Sequence, residues 1–247
     1  MISSIKKHYP FFILLGLALL TRFLFLNYPS EVVFDEVHFG KFVSAYSTQQ
    51  YYFDIHPPLG KLLIAGFAKL NGVRPDVSFE QIGQAVSAHE LFVLRFLPAL
   101  FGSLLVLVVY GLALALGLGK KAAFLAGWLV LFDNAFLVES KFILVDSFLF
   151  FFGFSSLLVF LHSQKQTGRI AGGTPDISTA IKKHLFYFLA MALAGLALSI
   201  KWTGLAFLGL ILLLSFFSFL KQISLKRFFK FSAEALLSLG LCFVIYA

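Results

Sequence analysis

Three short runs gather half of the 12 Asp and Glu residues in this 247-residue chain, beside residues able to do acid–base or phosphate chemistry with them. Asp35 and Glu36 are neighbours in FDEVHFGKF, and Asp54, His56 and Pro57 follow in DIHPPLGKLL. Asp133, Asn134, Glu139, Lys141 and Asp146 fall within LFDNAFLVESKFILVDSFLFFF. Arg95 in LRFLPALFG and Lys201 in GLALSIKWTGL add positive charge inside apolar sequence. A carboxylate can take the proton of an attacking hydroxyl, while arginine and lysine stabilise a phosphate that gains negative charge. A phosphate leaves as an anion, so one strong base suffices. Glycosidases need two carboxylates because their leaving alcohols are poor. The set suits a reaction on a polar group carried by a lipid.

The elements that must position these residues are membrane helices. Hydrophobic residues make up 60% of the chain, charged residues 13%, and there are 33 Phe. Soluble domains run at about 45–50% apolar and about 25% charged. Apolar stretches at 10–26, 92–117, 122–138, 142–162, 185–200 and 202–220 are candidates for spans of about 20 residues. A seventh starts near Phe231 and is still running at Ala247, so the chain reads as the N-terminal part of a longer protein. Lys6 and Lys7 before the first span, with Arg22 closing it and no small-residue cleavage site, predict an uncleaved anchor rather than a signal peptide. The single Cys242 excludes an internal disulfide and a thiolate metal cluster.

A net charge of +8 would suggest nucleic acid in a soluble protein, but here its distribution speaks for a membrane. Lys120, Lys121, Lys165, Arg169, Lys182, Lys183, Lys221, Lys226, Arg227 and Lys230 fall, with Lys6 and Lys7, in alternate inter-span segments. These segments are expected on the cytoplasmic side with the N-terminus. Glu31, Asp35, Glu36, Asp54, Asp76, Glu80, Glu90, Asp133 and Glu139 fall on the opposite, outer side. The membrane is then the plasma membrane of a prokaryote or the endoplasmic reticulum of a eukaryote.

The predicted fold is an all-α, polytopic transmembrane bundle forming one domain over 1–247, with a large first external loop at 27–90. That loop is too long for a plain connection and should be folded. In it PLGKLLIAGFAKL places Leu62, Leu63, Gly66, Phe67 and Leu70 on one face, with Pro58 as first helical residue and Lys61 and Lys69 on the flank, as for a helix lying in the interface. Ser78 and Gln81 have capping-box spacing ahead of the second span. Arg22, Arg95, Asp133, Glu139, Lys141, Asp146 and Lys201 all fall toward the outer face, where ionisable groups pair, snorkel or mark a functional path. Arg22 and Lys141 suit either snorkelling or burial, while Arg95 and Asp146 are expected to be buried and functional. Asp54 suits a turn, and His56 ahead of Pro57 is held extended, which shapes the site or contacts substrate. Asp133 and Asn134 suit a cap on the outer turn or acceptor contact. Asp35, Asp54, His56 and Asp133 have suitable donor atoms for a divalent cation, yet no regular ligand spacing appears, and no cofactor is firmly implied.

The five ordered blocks FDEVHFGKF, DIHPPLGKLL, LRFLPALFG, LFDNAFLVESKFILVDSFLFFF and GLALSIKWTGL resemble the protein O-mannosyltransferases, dolichyl-phosphate-mannose protein mannosyltransferases of the polytopic GT-C glycosyltransferase class. The resemblance implies Asp35 as catalytic base with Glu36 beside it, and Arg95 and Lys201 near the donor phosphate. It implies a polyprenyl-phosphate-linked mannose donor, a Ser or Thr hydroxyl of a translocated secreted or membrane protein as acceptor, inversion at the sugar, and a dimer with itself or a homologue as an open option. The rival readings are a GT-C transferase acting on lipid A or another envelope glycan, a transporter using Asp146, Arg95 and Lys201 as a path, and a non-catalytic scaffold. The charges gather at one face without a repeat, which disfavours transport.

Overall fold

The computed structural model describes residues 2–74, 78–168, 177–220 and 225–246. Asp76, Arg169, Lys221 and the side chain of Cys242 lie outside the described residues. Among the described residues the regular secondary structure is helical, with one isolated antiparallel bridge between Glu31 and Ala85. Its helices are α1 Ile2–Phe23, α2 Glu36–Thr48, α3 Leu59–Leu70, α4 Ala88–Ala115, α5 Lys120–Phe132, α6 Asn134–Glu139, α7 Asp146–Gly168, α8 Ile177–Leu198, α9 Leu205–Leu220 and α10 Leu225–Tyr246, with a 3₁₀ turn at Trp202–Gly204. They form two compact units, Met1–Phe151 and Phe152–Ala247. Among the described residues four helical segments are long and apolar enough to cross a membrane: Ala88–Ala115, Asp146–Gln164, Ile181–Leu198 and Trp202–Leu220. The protein is a multi-pass integral membrane protein.

In the first unit α1, α4 and α5 pack together around Leu14, Ala18, Val106, Tyr110, Ala113, Ala123 and Leu131. The turn from α4 to α5 is tight because Gly117, at φ +93°, reverses the helix, so that Leu118 N–H reaches the Ala113 carbonyl at 3.1 Å. The expected third span, 122–138, breaks after Phe132. Asp133 leaves helical geometry and its Oδ1 accepts from Phe136 N–H at 3.1 Å, which starts α6 instead of prolonging α5. At about 1.5 Å per residue the 13 residues of α5 reach about 20 Å, short of a full bilayer core.

The external loop is folded and closed at its base. Val32 N–H donates to the Gln84 carbonyl (2.8 Å), Gly83 N–H to Val32 (2.9 Å) and Val86 N–H to Ser30 (3.1 Å), which ties the chain leaving α1 to the chain entering α4. Within it α2 packs on α3, and α3 on α4. The Phe79 ring is fully buried against Gly40 of α2, so near that a Cβ there would lie 2.3 Å from it. Ser78 does not open a helix. Its hydroxyl accepts from the Gln84 amide (3.0 Å), and the cap of α4 is Ser87, which accepts from Glu90 N–H (3.2 Å). The capping spacing Ser87-x-x-Glu90 is the one used, because the bridge at Ala85 holds the preceding residues extended. Helix α3 turns Leu62, Gly66 and Leu70 outward, as an interfacial helix requires. Lys61 departs from the flank expected of it and is 1% exposed.

In the second unit α8, α9 and α10 pack on one another, and the 3₁₀ turn joins α8 to α9. Ala190, Met191, Ala194 and Ala197 of α8 are buried there, while many leucine and phenylalanine side chains of α9 face outward, as in a lipid-facing helix.

Candidate active site

Helix α2 starts directly after the left-handed residue Phe34 (φ 51°), with Asp35 as its N-cap. The Asp35 carbonyl accepts from His38 N–H (2.9 Å) and Phe39 N–H (3.1 Å), but its side chain makes no capping bond. The carboxylate is half-buried and stays clear of the helix it starts.

Glu36 has the opposite environment. It is fully buried, with Arg95 Nε 2.8 Å from Oε1 and Nη2 2.8 Å from Oε2, and it also accepts from Val33 N–H (3.0 Å) and Ile143 N–H (2.9 Å). Arg95, 0% exposed, gives its remaining N–H groups to the carbonyls of Leu26 (3.3 Å), Pro29 (3.0 Å) and Glu31 (3.1 Å). All five guanidinium donors are therefore used within the protein. The Phe142 ring lies 5.1 Å from the guanidinium carbon. A bidentate pair of this kind is tolerated in a dry interior because every donor and acceptor is matched. It fastens three segments: the exit from α1, the start of α2, and the turn before α7. Arg95, which the resemblance places near the donor phosphate, has Glu36 and three backbone carbonyls as its partners within the protein.

Lys141 lies on that same turn, outside the spans. Its Nζ donates to the Leu24 carbonyl at 2.9 Å. Desolvation, and secondarily the charge of Arg95, hold its pKa below the ordinary 10.5. Arg22, for which snorkelling was one option, is instead fully buried. Its Nη1 reaches Thr21 Oγ1 (3.3 Å) and the Leu131 carbonyl (3.5 Å), while Nε and Nη2 have no hydrogen-bond partner among the described residues. Gly102 makes room for it: a Cβ there would stand 2.3 Å from Ser140 Cβ and 3.3 Å from Arg22 Nε. Asp133 and Asn134 are exposed at the start of α6, and Asp146 is half-buried at the first turn of α7. Lys201 belongs to the second unit, half-buried, where its carbonyl accepts from Gly204 N–H (2.8 Å) to close the 3₁₀ turn.

Asp54, His56 and Pro57 lie near the other end of α2. Asp54 Oδ1 accepts from His56 N–H (3.1 Å), an Asx turn, and its Oδ2 pairs with Lys61, whose Nζ also donates to the His56 carbonyl at 3.0 Å. The Phe42 ring centroid is 5.3 Å from that ammonium, at a distance suited to a cation–π contact. An open cavity of about 690 Å³ lies here, with Tyr46, Tyr51, Tyr52, Asp54, His56 and Lys61 among its lining residues. Asp54 and His56 were expected in the site, whereas Lys61 was expected on the flank of an interfacial helix and not among the site residues. The signal for it was a lysine inside an apolar run, seven residues after an aspartate that begins a turn. Among the described residues no three His, Cys, Asp or Glu side chains come together as a cation would need, and Asp54 is committed to Lys61.

A family model described as dolichyl-phosphate-mannose-protein mannosyltransferase matches residues 12–247. The chain belongs to that family. Protein O-mannosyltransferase 1 of Drosophila pseudoobscura pseudoobscura is 41% identical over 189 residues, 72% of this chain and 21% of that protein. Dolichyl-phosphate-mannose--protein mannosyltransferase 1 of Saccharomyces cerevisiae is 36% identical over 73% of this chain and 21% of its own length. The chain therefore spans about a fifth of these mannosyltransferase relatives. The structure of the S. cerevisiae protein O-mannosyltransferase Pmt1-Pmt2 complex bound to the sugar donor superposes with a TM-score of 0.85 at 30% identity, covering 98% of this chain and 33% of that one. The archaeal oligosaccharyltransferase AglB from Archaeoglobus fulgidus shares the fold, with a TM-score of 0.71 at 19% identity over 98% of this chain and 29% of that one. The mannosyltransferase family and the GT-C type membrane fold agree with the resemblance carried by the five motif blocks.

Proposed function

We propose that this chain carries the catalytic base of a transferase that moves mannose from a polyprenyl-phosphate-mannose donor to Ser or Thr hydroxyls of translocated proteins. One observation carries the reading: of two adjacent carboxylates, Glu36 is saturated by Arg95 and backbone N–H groups, and Asp35 is left available beside it. Asp35 removes the acceptor hydroxyl proton. The oxygen forms a bond to the anomeric carbon as the bond from that carbon to the phosphate oxygen breaks, and the lipid phosphate departs with the electron pair. A single displacement inverts the anomeric centre. The Glu36–Arg95 pair positions Asp35 by fixing the first turn of α2, and Lys141, on the turn that the same pair holds, supplies a cation for the departing anion. The base lies at the outer membrane interface, with the N-terminus in the cytoplasm. Support for the donor and acceptor comes from the family and from the relatives' names. The Pmt1-Pmt2 complex favours pairing with a homologue.

The test is to incubate membranes containing the chain with a polyprenyl-phosphate donor labelled in the mannose, then identify the labelled product. Label on protein that is released by β-elimination supports the reading. Label in a lipid or envelope glycan moves the protein to the rival acceptor class, and label remaining on the donor removes the transferase reading of this chain.

A further inference from the structure

The cavity beside the C-terminal half of α2 takes no part in the chemistry assigned to Asp35, and its walls are unlike a phosphate or cation site. Its charges cancel. Lys61 Nζ is occupied by the Asp54 carboxylate and the His56 carbonyl, with the Phe42 ring on a further side. Burial, the Tyr46 hydroxyl and the nearby Asp54 charge hold the Tyr52 phenol above its ordinary range, so it stays neutral. What the cavity offers a ligand, beside that ion pair, is hydrogen-bonding groups: the amides of Gln49 and Gln50, the phenols, and the half-buried His56 imidazole.

Beside these groups stand aromatic faces. Tyr52 is stacked on Phe42 (4.7 Å between centroids, 22° between planes) and met edge-on by Tyr46 at 5.4 Å, an arrangement that holds the ring still. Tyr51 is 92% exposed at the rim. A volume of about 690 Å³ lies inside the roughly 300–1,000 Å³ of small-molecule sites. Tyr46 is about 16 Å along α2 from Asp35 at 1.5 Å per residue, so the cavity is a second place and not the reacting centre.

We infer that this cavity is a carbohydrate subsite that takes a neutral pyranose, its C–H face against the tyrosine rings and its hydroxyls on Gln49, Gln50 and His56. The weakly positive C–H edge of a sugar suits the negative face of an aromatic ring, and a site without net charge does not select for an ion. The choice of sugar rests on the mannosyl-transfer reading. An acceptor that already carries mannose is held here while a further hydroxyl reaches Asp35. At about 3.3–3.6 Å per extended residue, 16 Å corresponds to a spacing of about five residues between the two.

The experiment is saturation-transfer NMR of methyl α-D-mannopyranoside with the full 247-residue chain in nanodiscs. Saturation should reach the sugar C–H protons, and Tyr51→Ala, at an exposed position, should weaken binding about tenfold without changing the melting temperature. No saturation, equal saturation in Tyr51→Ala, or displacement of the mannoside by an unglycosylated Ser/Thr peptide overturns the inference. The same sample is assayed for transfer from the labelled donor. Mannoside binding without transfer keeps the subsite and removes the transferase reading, and transfer without mannoside binding does the reverse.

Discussion

Two buried ion pairs, one joining the external loop to α4 and one within the loop, do different work. Glu36 and Arg95 are 59 residues apart in sequence, and their pair is wholly enclosed, with every donor of the guanidinium used. Asp54 and Lys61 are seven apart, in one wall of an open cavity. The first pair closes the loop onto the bundle, so its loss is felt in three segments. The second shapes a local turn and a helix start, with water near enough to share the cost of losing a partner. Both act on α2: one end of that helix presents a carboxylate without a capping duty, and the other helps form a neutral, tyrosine-lined hollow. On the proposed function, stability and chemistry fall to neighbouring residues, Glu36 and Asp35, that look alike in sequence.

The largest effect should come from breaking the enclosed pair. Glu36→Ala leaves a buried guanidinium without its counter-charge, and a loss of about 3–5 kcal/mol in unfolding free energy is expected. A melt in nanodiscs measures it, and a loss as small as that of a surface mutation would show that the pair is not sealed. Lys61→Ala should cost less, about 1–3 kcal/mol, because Asp54 keeps its backbone N–H partner and can be reached by water. If the two losses are equal, the contrast between enclosed and open pairs is wrong.

Gly40→Ala tests the packing that supports α2 between these pairs. Its new methyl group would meet the Phe79 ring, and about 1–3 kcal/mol is expected from overpacking, read in the same melt. The smallest effect is a titration. Lys141 should lose its proton below 10.5, followed by NMR of the dimethylated lysine, because desolvation and Arg95 disfavour its charge. A lysine with a lowered folded value favours the folded state above its unfolded pKa and loses that contribution as pH falls through the folded one. Lys141→Gln should therefore flatten the pH dependence of stability just below 10.5.

The membrane class, the helical fold and the folded loop were legible in the chain, because apolar runs and turn residues are local signals. So was the attention drawn to Asp35, Glu36, Asp54, His56 and Arg95, since charged groups in apolar surroundings need a reason. The partnership of Glu36 with Arg95 was not legible. It depends on a pairing across 59 residues and on carbonyls of Leu26, Pro29 and Glu31, groups that carry no sequence signature. Lys61 was hidden by its neighbours: on an amphipathic helix a lysine beside the apolar stripe reads as solvated, and only the turn at Asp54 draws it inward. The capping box at Ser78 and Gln81 was a correct local pattern overruled by the bridge that holds Ala85 extended, with Ser87 as the cap in its place.

The most direct test of the division between Asp35 and Glu36 is mannosyl transfer by the Asp35→Asn chain in membranes, with its melting temperature followed alongside. Transfer should be abolished while melting is unchanged, since the Asp35 side chain holds no cap and its amide replacement is of equal size. Near-normal transfer by that variant would contradict that division.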